Sequence, residues 1–276
     1  MKKRLLFLDL DGTLLNDAKE ITPGNREALE RTLQRGHGVI ITTGRPLKSA
    51  LAQARRRGLD KPGCYTIAYN GAKVYDWDKQ ETIFSRTHEI PPVFRVFDKA
   101  NEMGEHIQTY DALDVLVEPR CDDDAVRRYC QQVGMTFRVI DDIRKDLKEN
   151  PVKCLVINYE KKDGLLKMQD WIRENMPEMD CFFSCEQFLE VVPKGMNKGE
   201  AVKMLCKKLN VEIENAVACG DAANDLAMLQ AAGIGVAMIN GADEVKAAAD
   251  YITTRDNNHD GVAEAADKFF YEEVDE

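Results

Sequence analysis

The 276-residue sequence lacks several features that define whole classes of protein. Its four histidines do not cluster, and its eight cysteines are scattered without a C-x-x-C pair, so neither a zinc site nor a disulfide framework is predicted. No run approaches the ~18 apolar residues of a membrane span. Asp9 also cuts short the apolar run after the basic N-terminus, so no signal peptide is expected. We therefore expect a cytoplasmic protein with buried thiols.

The sequence also has fewer basic than acidic residues. The chain has 38 lysines and arginines against 48 aspartates and glutamates, which gives a net charge of -10 and a pI of about 5.1. Such a surface repels nucleic acid and anionic membranes, so we expect neither as a partner. The composition does not distinguish a monomer from a homo-oligomer.

The most informative stretch is Leu5-Leu6-Phe7-Leu8-Asp9-Leu10-Asp11-Gly12-Thr13. Its unbroken apolar start is typical of a strand buried on both faces. Two acids then follow at i and i+2, which on a strand point to the same side. Two carboxylates so close together repel each other unless a cation or a shared proton relieves them, and hard divalent cations prefer such oxygen ligands. The alternative is a solvated Asp-Gly turn after the strand.

Strands and helices alternate along most of the chain. Buried strands at 39–42 and 65–69 follow predicted helices that end near 35 and 57, and the same pattern resumes with a strand at 216–219. This order predicts an α/β fold with a doubly wound parallel-sheet, Rossmann-like core. Residues 86–190 are rich in strands with covering helices, so we predict a core from residues 1–85 and 191–276 and an inserted α+β cap domain from 86–190.

Four polar clusters stand where predicted parallel strands end or where a helix begins. They are Asp9 to Thr13, Thr43-Gly44-Arg45, Lys198, and Gly220-Asp221-Ala222-Ala223-Asn224-Asp225. A doubly wound sheet brings such edges into one crevice. Acids, a lysine, a hydroxyl and free backbone N–H groups suit a phosphoryl group held against a metal ion.

These motifs, in this order, resemble the haloacid dehalogenase superfamily of phosphatases. More narrowly, the chain is similar to the Cof-type branch, which carries a large α/β cap and often ends with a segment like Asn258-His259-Asp260-Gly261-Val262-Ala263. The resemblance covers essentially the full length, and no motif position departs from the family pattern. The cap has no family-wide motif, so the individual substrate stays open.

The resemblance implies a reaction and a cofactor. Asp9 would be the nucleophile that forms an aspartyl phosphate, and Asp11 would be the general acid and then the general base. Mg²⁺ would be held by the carboxylates of Asp9 and Asp221 and by the backbone carbonyl of Asp11. Lys198 would offset negative charge in the catalytic step. Asp225 would orient either a metal-bound water or Lys198.

The remaining motif residues would bind the phosphoryl group. Thr43 and Gly44 would contribute a hydroxyl and an N–H at a helix N-terminus, and Asn224 would contact the same group. Asn70 would lie near the substrate, although Asn70-Gly71 could equally be a simple turn. Lys194 is a rival for the role of Lys198, Asn224-Asp225 could be only a helix cap, and a part for Arg45 is left open.

The leading interpretation is a Mg²⁺-dependent phosphatase of small phosphorylated metabolites, such as sugar phosphates or a phosphorylated cofactor. A sugar phosphomutase that uses the same aspartyl phosphate is the alternative within the superfamily. A catalytically inactive phosphate-binding protein is a third interpretation, which the intact Asp9 and Asp11 pair disfavours.

Overall fold

The computed structural model describes residues 2–160 and 162–271. The fold divides into two compact units, which are described separately. The first contains the described residues of Met1–Gly44, Ala50–Ile83 and Asn197–Glu276, and the second contains Arg45–Ser49 and Phe84–Met196. The last strand of the second unit ends at Pro193, and the first unit resumes at Asn197.

The first unit is built on an eight-stranded sheet of order β14-β13-β12-β1-β2-β3-β4-β5. The first six strands in that order pair in parallel, and β4 pairs antiparallel with β3. The strands are β1 Leu5–Leu8, β2 Gly38–Thr42, β3 Cys64–Ala68, β4 Lys73–Asp76, β5 Glu81–Ser85, β12 Ala216–Gly220, β13 Ile234–Ala237 and β14 Tyr251–Ile252. Every residue of β1, β2, β3 and β12 is buried, as their unbroken apolar character predicts.

Six helices lie between or after the strands of this sheet in the described part of the chain. They are α1 Pro23–Gln34, α2 Leu47–Arg56, α7 Lys198–Lys208, α8 Leu226–Ala231, α9 Asp243–Ala248 and α10 Gly261–Ala266. A π-helical turn, Asp267–Tyr271, follows α10 directly. The predicted α/β class with a doubly wound core is confirmed.

The second unit is an α+β structure with a six-stranded sheet of order β10-β11-β9-β6-β7-β8. Its strands are β6 His106–Tyr110, β7 Val115–Val117, β8 Phe137–Val139, β9 Cys154–Ile157, β10 Met179–Cys185 and β11 Phe188–Pro193. Its helices are α3 Ile90–Met103, α4 Asp124–Val133, α5 Ile143–Asp146 and α6 Lys162–Asn175. The one-turn α5 has too few residues to show helical periodicity and was not expected.

Two further observations bear on the sequence-based expectations. Seven of the eight cysteines are buried, whereas Cys185 is exposed after a register shift in its strand. Among the described residues, no helix has both the length and the apolar character that a membrane crossing requires.

Candidate active site

The central strands of the first sheet end close to one another. β1 lies between β12 and β2, and all three run in parallel. Asp9 follows β1, Thr43 follows β2, and Asp221 follows β12. The site is therefore at the carboxyl edge of the sheet, where open α/β sheets bind ligands.

Lys198 joins two of the acids at this edge. Its Nζ donates to Asp9 Oδ1 at 2.5 Å and to Asp225 Oδ1 at 2.5 Å. The side chains of Lys198 and Asp225 are fully buried. Burial alone would lower the pKa of Lys198, but the charges of Asp225 and Asp9 outweigh it and raise that pKa above its ordinary value. The ammonium is thus held charged between two carboxylates.

Local packing explains why Lys198 rather than Lys194 reaches this position. Lys198 is the first residue of α7, and a Cβ on the neighbouring Gly199 would collide with the carbonyl oxygen of Ala227 in α8. The missing side chain therefore lets the two helices approach closely. Lys194 lies in the second unit, where its Nζ donates to Asp180 Oδ1 at 2.6 Å.

Asp225 has its other carboxylate oxygen engaged by the backbone. Asp225 Oδ2 accepts hydrogen bonds from the N–H groups of Asp221 and Ala222, each at 3.0 Å. These two bonds cap the short 3-10 turn Ala223–Asp225, as expected if Asn224-Asp225 serves as a helix cap. It also binds Lys198 through Oδ1, and it thereby fixes both the lysine and the backbone of Asp221.

Asp221 lies against the loop that follows β1. Thr13 Oγ1 donates to Asp221 Oδ1 at 2.6 Å. Gly12 has a φ of +90°, and a Cβ there would collide with the Asp221 carboxylate. Burial, together with the charge of Asp225, raises the pKa of Asp221 to about 6 against the opposing bond from Thr13. The loop and the acid are packed as one unit.

The acids form a cluster that fits a small divalent cation. One ligand atom from each of Asp9, Asp221 and Asp225 lies within 4.8 Å of the others. Burial raises the pKa of Asp9 above its usual range, the charges of Asp225 and Asp221 act in the same direction, and Lys198 opposes them. Buried carboxylates that repel one another are stabilised by a hard cation, and their oxygens are suitable ligands. All three acids could offer a ligand atom to such a cation, and Asp225 accepts the most hydrogen bonds of the three.

Asp11 has a different environment from Asp9. Its Oδ1 accepts a hydrogen bond from Lys19 Nζ at 2.9 Å, and its side chain is 39% exposed. β1 ends at Leu8, so the strand alternation that predicts parallel side chains does not extend to Asp11. Half-exposed ion pairs such as Lys19–Asp11 contribute at most about 1 kcal/mol to stability.

The predicted phosphate-binding residues lie together on neighbouring loops. The Asn70 N–H donates to the Thr43 carbonyl oxygen at 3.1 Å, and Asn224 Nδ2 donates to Asn70 Oδ1 at 3.4 Å. A Cβ on Gly44 would stand 3.0 Å from Asn70 Oδ1. α2 begins only at Leu47, so Gly44 precedes the helix by three residues instead of standing at its first turn.

Asn70 is the most unusual member of this group. It has a left-handed backbone with φ of 53° and is 1% exposed. Its Nδ2 is among the buried side-chain nitrogens of the described residues that have no hydrogen-bond partner. Burying an amide donor without a partner is costly, which favours a ligand oxygen at this place over a simple turn. Arg45, by contrast, groups with the second unit, where its guanidinium donates to the Gln132 carbonyl at 3.4 Å.

Several residues around the site carried no signal in the sequence. Lys19 contacts Asp11 from eight residues along the chain, whereas Asn240 and Asn257 contact the loop after β1 from distant positions. Each stands in a polar loop in which lysine and asparagine are ordinary. Only the tertiary structure brings the two asparagines to the site.

Known proteins match this chain over nearly its whole length. The sequence model for haloacid dehalogenase-like hydrolases matches residues 6–265. A 5-amino-6-(5-phospho-D-ribitylamino)uracil phosphatase of Bacillus subtilis is 30% identical, with 98% of each chain covered. A pyridoxal phosphate phosphatase of Escherichia coli is 30% identical, with 96% of this chain and 97% of the relative covered. The crystal structure of a haloacid dehalogenase-like hydrolase from Bacteroides thetaiotaomicron has a TM-score of 0.87 and 32% identity, and covers 98% of this chain and 100% of its own.

Proposed function

The chain belongs to the haloacid dehalogenase-like hydrolase family, and on that premise we propose that it is a Mg²⁺-dependent phosphatase that works through a phosphoenzyme on Asp9. The observation that carries the proposal is the buried Lys198 ammonium, which bonds both Asp9 and Asp225 beside the Asp221 carboxylate. A charged lysine and a cation-binding pair of acids are what a phosphoryl dianion needs when it approaches a carboxylate nucleophile.

The proposed substrates are small phosphorylated metabolites, namely sugar phosphates or a phosphorylated cofactor. Two relatives are named for phosphate esters of a ribitylaminouracil and of pyridoxal, which supports this class. The residues that we propose for catalysis and phosphate binding all belong to the first unit, so we assign discrimination among esters to the second unit. A cytoplasmic location is part of the same proposal.

The reaction would proceed in two displacements. One Asp9 oxygen attacks phosphorus while Lys198 holds Oδ1, and the bond from phosphorus to the ester oxygen breaks as Asp11 protonates that oxygen. Asp11 then removes a proton from water, which attacks the phosphoenzyme and releases Asp9 and inorganic phosphate. Thr43, Gly44, Asn70 and Asn224 would hold the phosphoryl oxygens. Mg²⁺ bound by Asp9 and Asp221 would neutralise part of the charge on the phosphoryl group.

The direct test is phosphate release from a panel of phosphate esters with Mg²⁺, for wild type and Asp9→Asn. The amide is nearly isosteric with the acid but is not a nucleophile, so we expect turnover to fall by at least about 10³-fold with the folded structure kept. Release within tenfold of wild type would refute the covalent mechanism. Phosphate that returns to another position of the sugar would identify a phosphomutase.

Asp11 is tested through the leaving group. General acid catalysis contributes about 10²–10⁴-fold, and an alkoxide needs it far more than p-nitrophenolate does. Asp11→Asn should therefore lose much more rate on ribose 5-phosphate than on p-nitrophenyl phosphate in single-turnover phosphorylation. Equal losses would mean that Asp11 is not the acid.

A further inference from the structure

Two asparagines hold the loop that carries Asp11. Asn240 Nδ2 donates to the Gly12 carbonyl oxygen at 2.8 Å, and Asn257 Nδ2 donates to the Leu15 carbonyl oxygen at 2.9 Å. The two asparagines are themselves joined, because the Asn257 N–H donates to Asn240 Oδ1 at 3.1 Å. We call this pair the amide clamp. It grips the chain directly after Asp11 and again three residues later.

The conformation of the clamped loop sets the position of Asp11 and the contact between Thr13 and Asp221. Within the loop, the Leu14 and Leu15 N–H groups bond the carbonyls of Asp9 and Leu10, at 3.2 and 2.8 Å. Thr13, between the two clamped carbonyls, bonds Asp221. A rotation of the Gly12 peptide would therefore move Asp11 on one side and Thr13 on the other.

The segment that carries Asn257 is itself held in place by burial and by hydrogen bonds. Asn257 is 5% exposed. Thr253 Oγ1 accepts from the Ile239 N–H at 3.0 Å and donates to the Arg255 carbonyl at 2.6 Å, so the segment around Asn257 is tied to the chain that follows β13. The loop after β1 is thus braced by the ends of two other parallel strands of the same sheet.

We propose that Asn240 and Asn257 are positioning residues that place Asp11 for proton transfer to the leaving group. The inference rests on the proposed function and adds to it two residues that lie outside the motifs of the active site. Both amides act as donors to backbone carbonyls, which no apolar side chain can replace. A displacement of about 1 Å in a reacting group can cost about 10²-fold in rate, so a clamp of this kind is sufficient to matter.

The test compares leaving groups, because a general loss of stability would not depend on them. Asn257→Asp keeps the size of the side chain but faces the Leu15 carbonyl with an oxygen in place of the donor. Asn240→Ala removes the exposed half of the clamp. We expect each to lose at least about tenfold more single-turnover phosphorylation rate on ribose 5-phosphate than on p-nitrophenyl phosphate. The matched control is His259→Ala, an exposed change two residues from Asn257, which should alter neither rate by more than about twofold.

The two variants also test whether the asparagines act as one device. Because Asn240 and Asn257 are hydrogen-bonded to each other, the double variant should lose less than the product of the two single losses. If Asn257→Asp fails to fold, Asn240→Ala alone carries the test, since its side chain is exposed.

Two outcomes would refute the proposed role of the clamp. Equal losses on both substrates, or no loss in Asn240→Ala, would overturn the positioning role. Asp11→Asn, measured in parallel, separates this failure from a failure of the proposed function. If Asp11→Asn shows the leaving-group dependence and the clamp variants do not, only the clamp is refuted. If the rate loss of Asp11→Asn does not depend on the leaving group, Asp11 is not the general acid. The positioning role of the clamp is then refuted together with that assignment.

Discussion

At the scale of single residues, the site depends on one buried cation. Lys198 neutralises Asp9 and Asp225, neither of which is appreciably exposed. Taking charges out of water is favourable only when they are paired, and removal of one partner leaves the others uncompensated. The same lysine that would serve catalysis is therefore also required for the stability of the metal-free protein.

Lys198→Met should destabilise the metal-free protein by about 3–5 kcal/mol, because it leaves two buried carboxylates without their counter-ion. Urea unfolding in the presence of a chelator measures this change. Lys203→Met, on the same helix, is the control: its ion pair with Glu200 is exposed, and its loss should cost no more than about 1 kcal/mol. A second change, Asp225→Asn, should recover part of the stability in Lys198→Met, and a loss that is simply additive would contradict the pairing.

His88 gives a prediction about pH. It is 3% exposed, and burial lowers its pKa to about 4, although the hydrogen bond that Nε2–H donates to the Val191 carbonyl at 3.1 Å opposes this shift. The unfolded chain takes up this proton near pH 6.5 and the folded chain only near pH 4, so the unfolded state binds more protons between these values. The stability of the second unit should therefore fall by up to about 3 kcal/mol as pH drops from 7 to 4.

Unfolding by urea at pH 7 and at pH 4.5 measures that term. His88→Gln should have a smaller difference between the two pH values than wild type, because glutamine does not titrate. His259→Gln is the matched control, since this histidine is largely exposed. If His88→Gln retained the full wild-type difference, another group would have to be responsible.

At the scale of secondary-structure elements, two distant helices cap each other. The Asp260 carboxylate accepts from the Asn25 N–H in the first turn of α1 at 3.1 Å, and Asn25 Oδ1 accepts from the Ala263 N–H in the first turn of α10 at 2.8 Å. Thr22, which occupies the N-cap position of α1, makes no side-chain capping bond. The cap of α1 is thus supplied through the tertiary structure.

Asn25→Ala should therefore cost about 1–3 kcal/mol, because it removes a cap and leaves the buried Ala263 N–H without its acceptor. Thr22→Val is the matched control. The Thr22 hydroxyl is buried without a hydrogen-bond partner, so an apolar side chain of the same shape should be neutral or slightly stabilising. Thermal unfolding of both variants decides the question, and a larger loss in Thr22→Val than in Asn25→Ala would reverse the assignment of the cap.

At the scale of the whole molecule, the chain separates the chemistry from the proposed choice of substrate. All the acids of the site, Lys198 and the predicted phosphate-binding residues belong to the first unit. The second unit interrupts the chain between β5 and α7 and brings its own sheet and helices. Such an arrangement would let the insertion vary while the reaction stays the same.

Exchange of residues 84–196 tests this division of labour. A chimera that carries the corresponding segment of the Escherichia coli pyridoxal phosphate phosphatase should gain at least about tenfold in kcat/KM for pyridoxal phosphate relative to p-nitrophenyl phosphate. Activity on the aryl ester reports that the chimera has folded, and Lys203→Met should leave the ratio of the two substrates as it is in wild type. A ratio that did not change in an active chimera would return specificity to the first unit.

The sequence by itself determined the family, the α/β class and the main strands. Strands buried on both faces read as unbroken apolar runs, as in Leu5–Leu8 and Gly38–Thr42, and a motif adjacent to such a run is placed with it at the edge of the sheet. The haloacid dehalogenase resemblance and the phosphatase class predicted from it are confirmed by the matches to known proteins. These features depend on residues that are close together in the chain, so they can be predicted from a single sequence.

The tertiary structure decided what depends on pairs of residues far apart. That Lys198 and not Lys194 meets Asp9, that Asp260 caps α1 in place of Thr22, and that Asn240 and Asn257 brace the loop after β1 are contacts across many residues of chain. Lysine, aspartate and asparagine are ordinary in polar loops, so no periodicity distinguishes the ones that act from the rest. Their partners are chosen by how helices and strand ends pack, and that information exists only in the folded molecule.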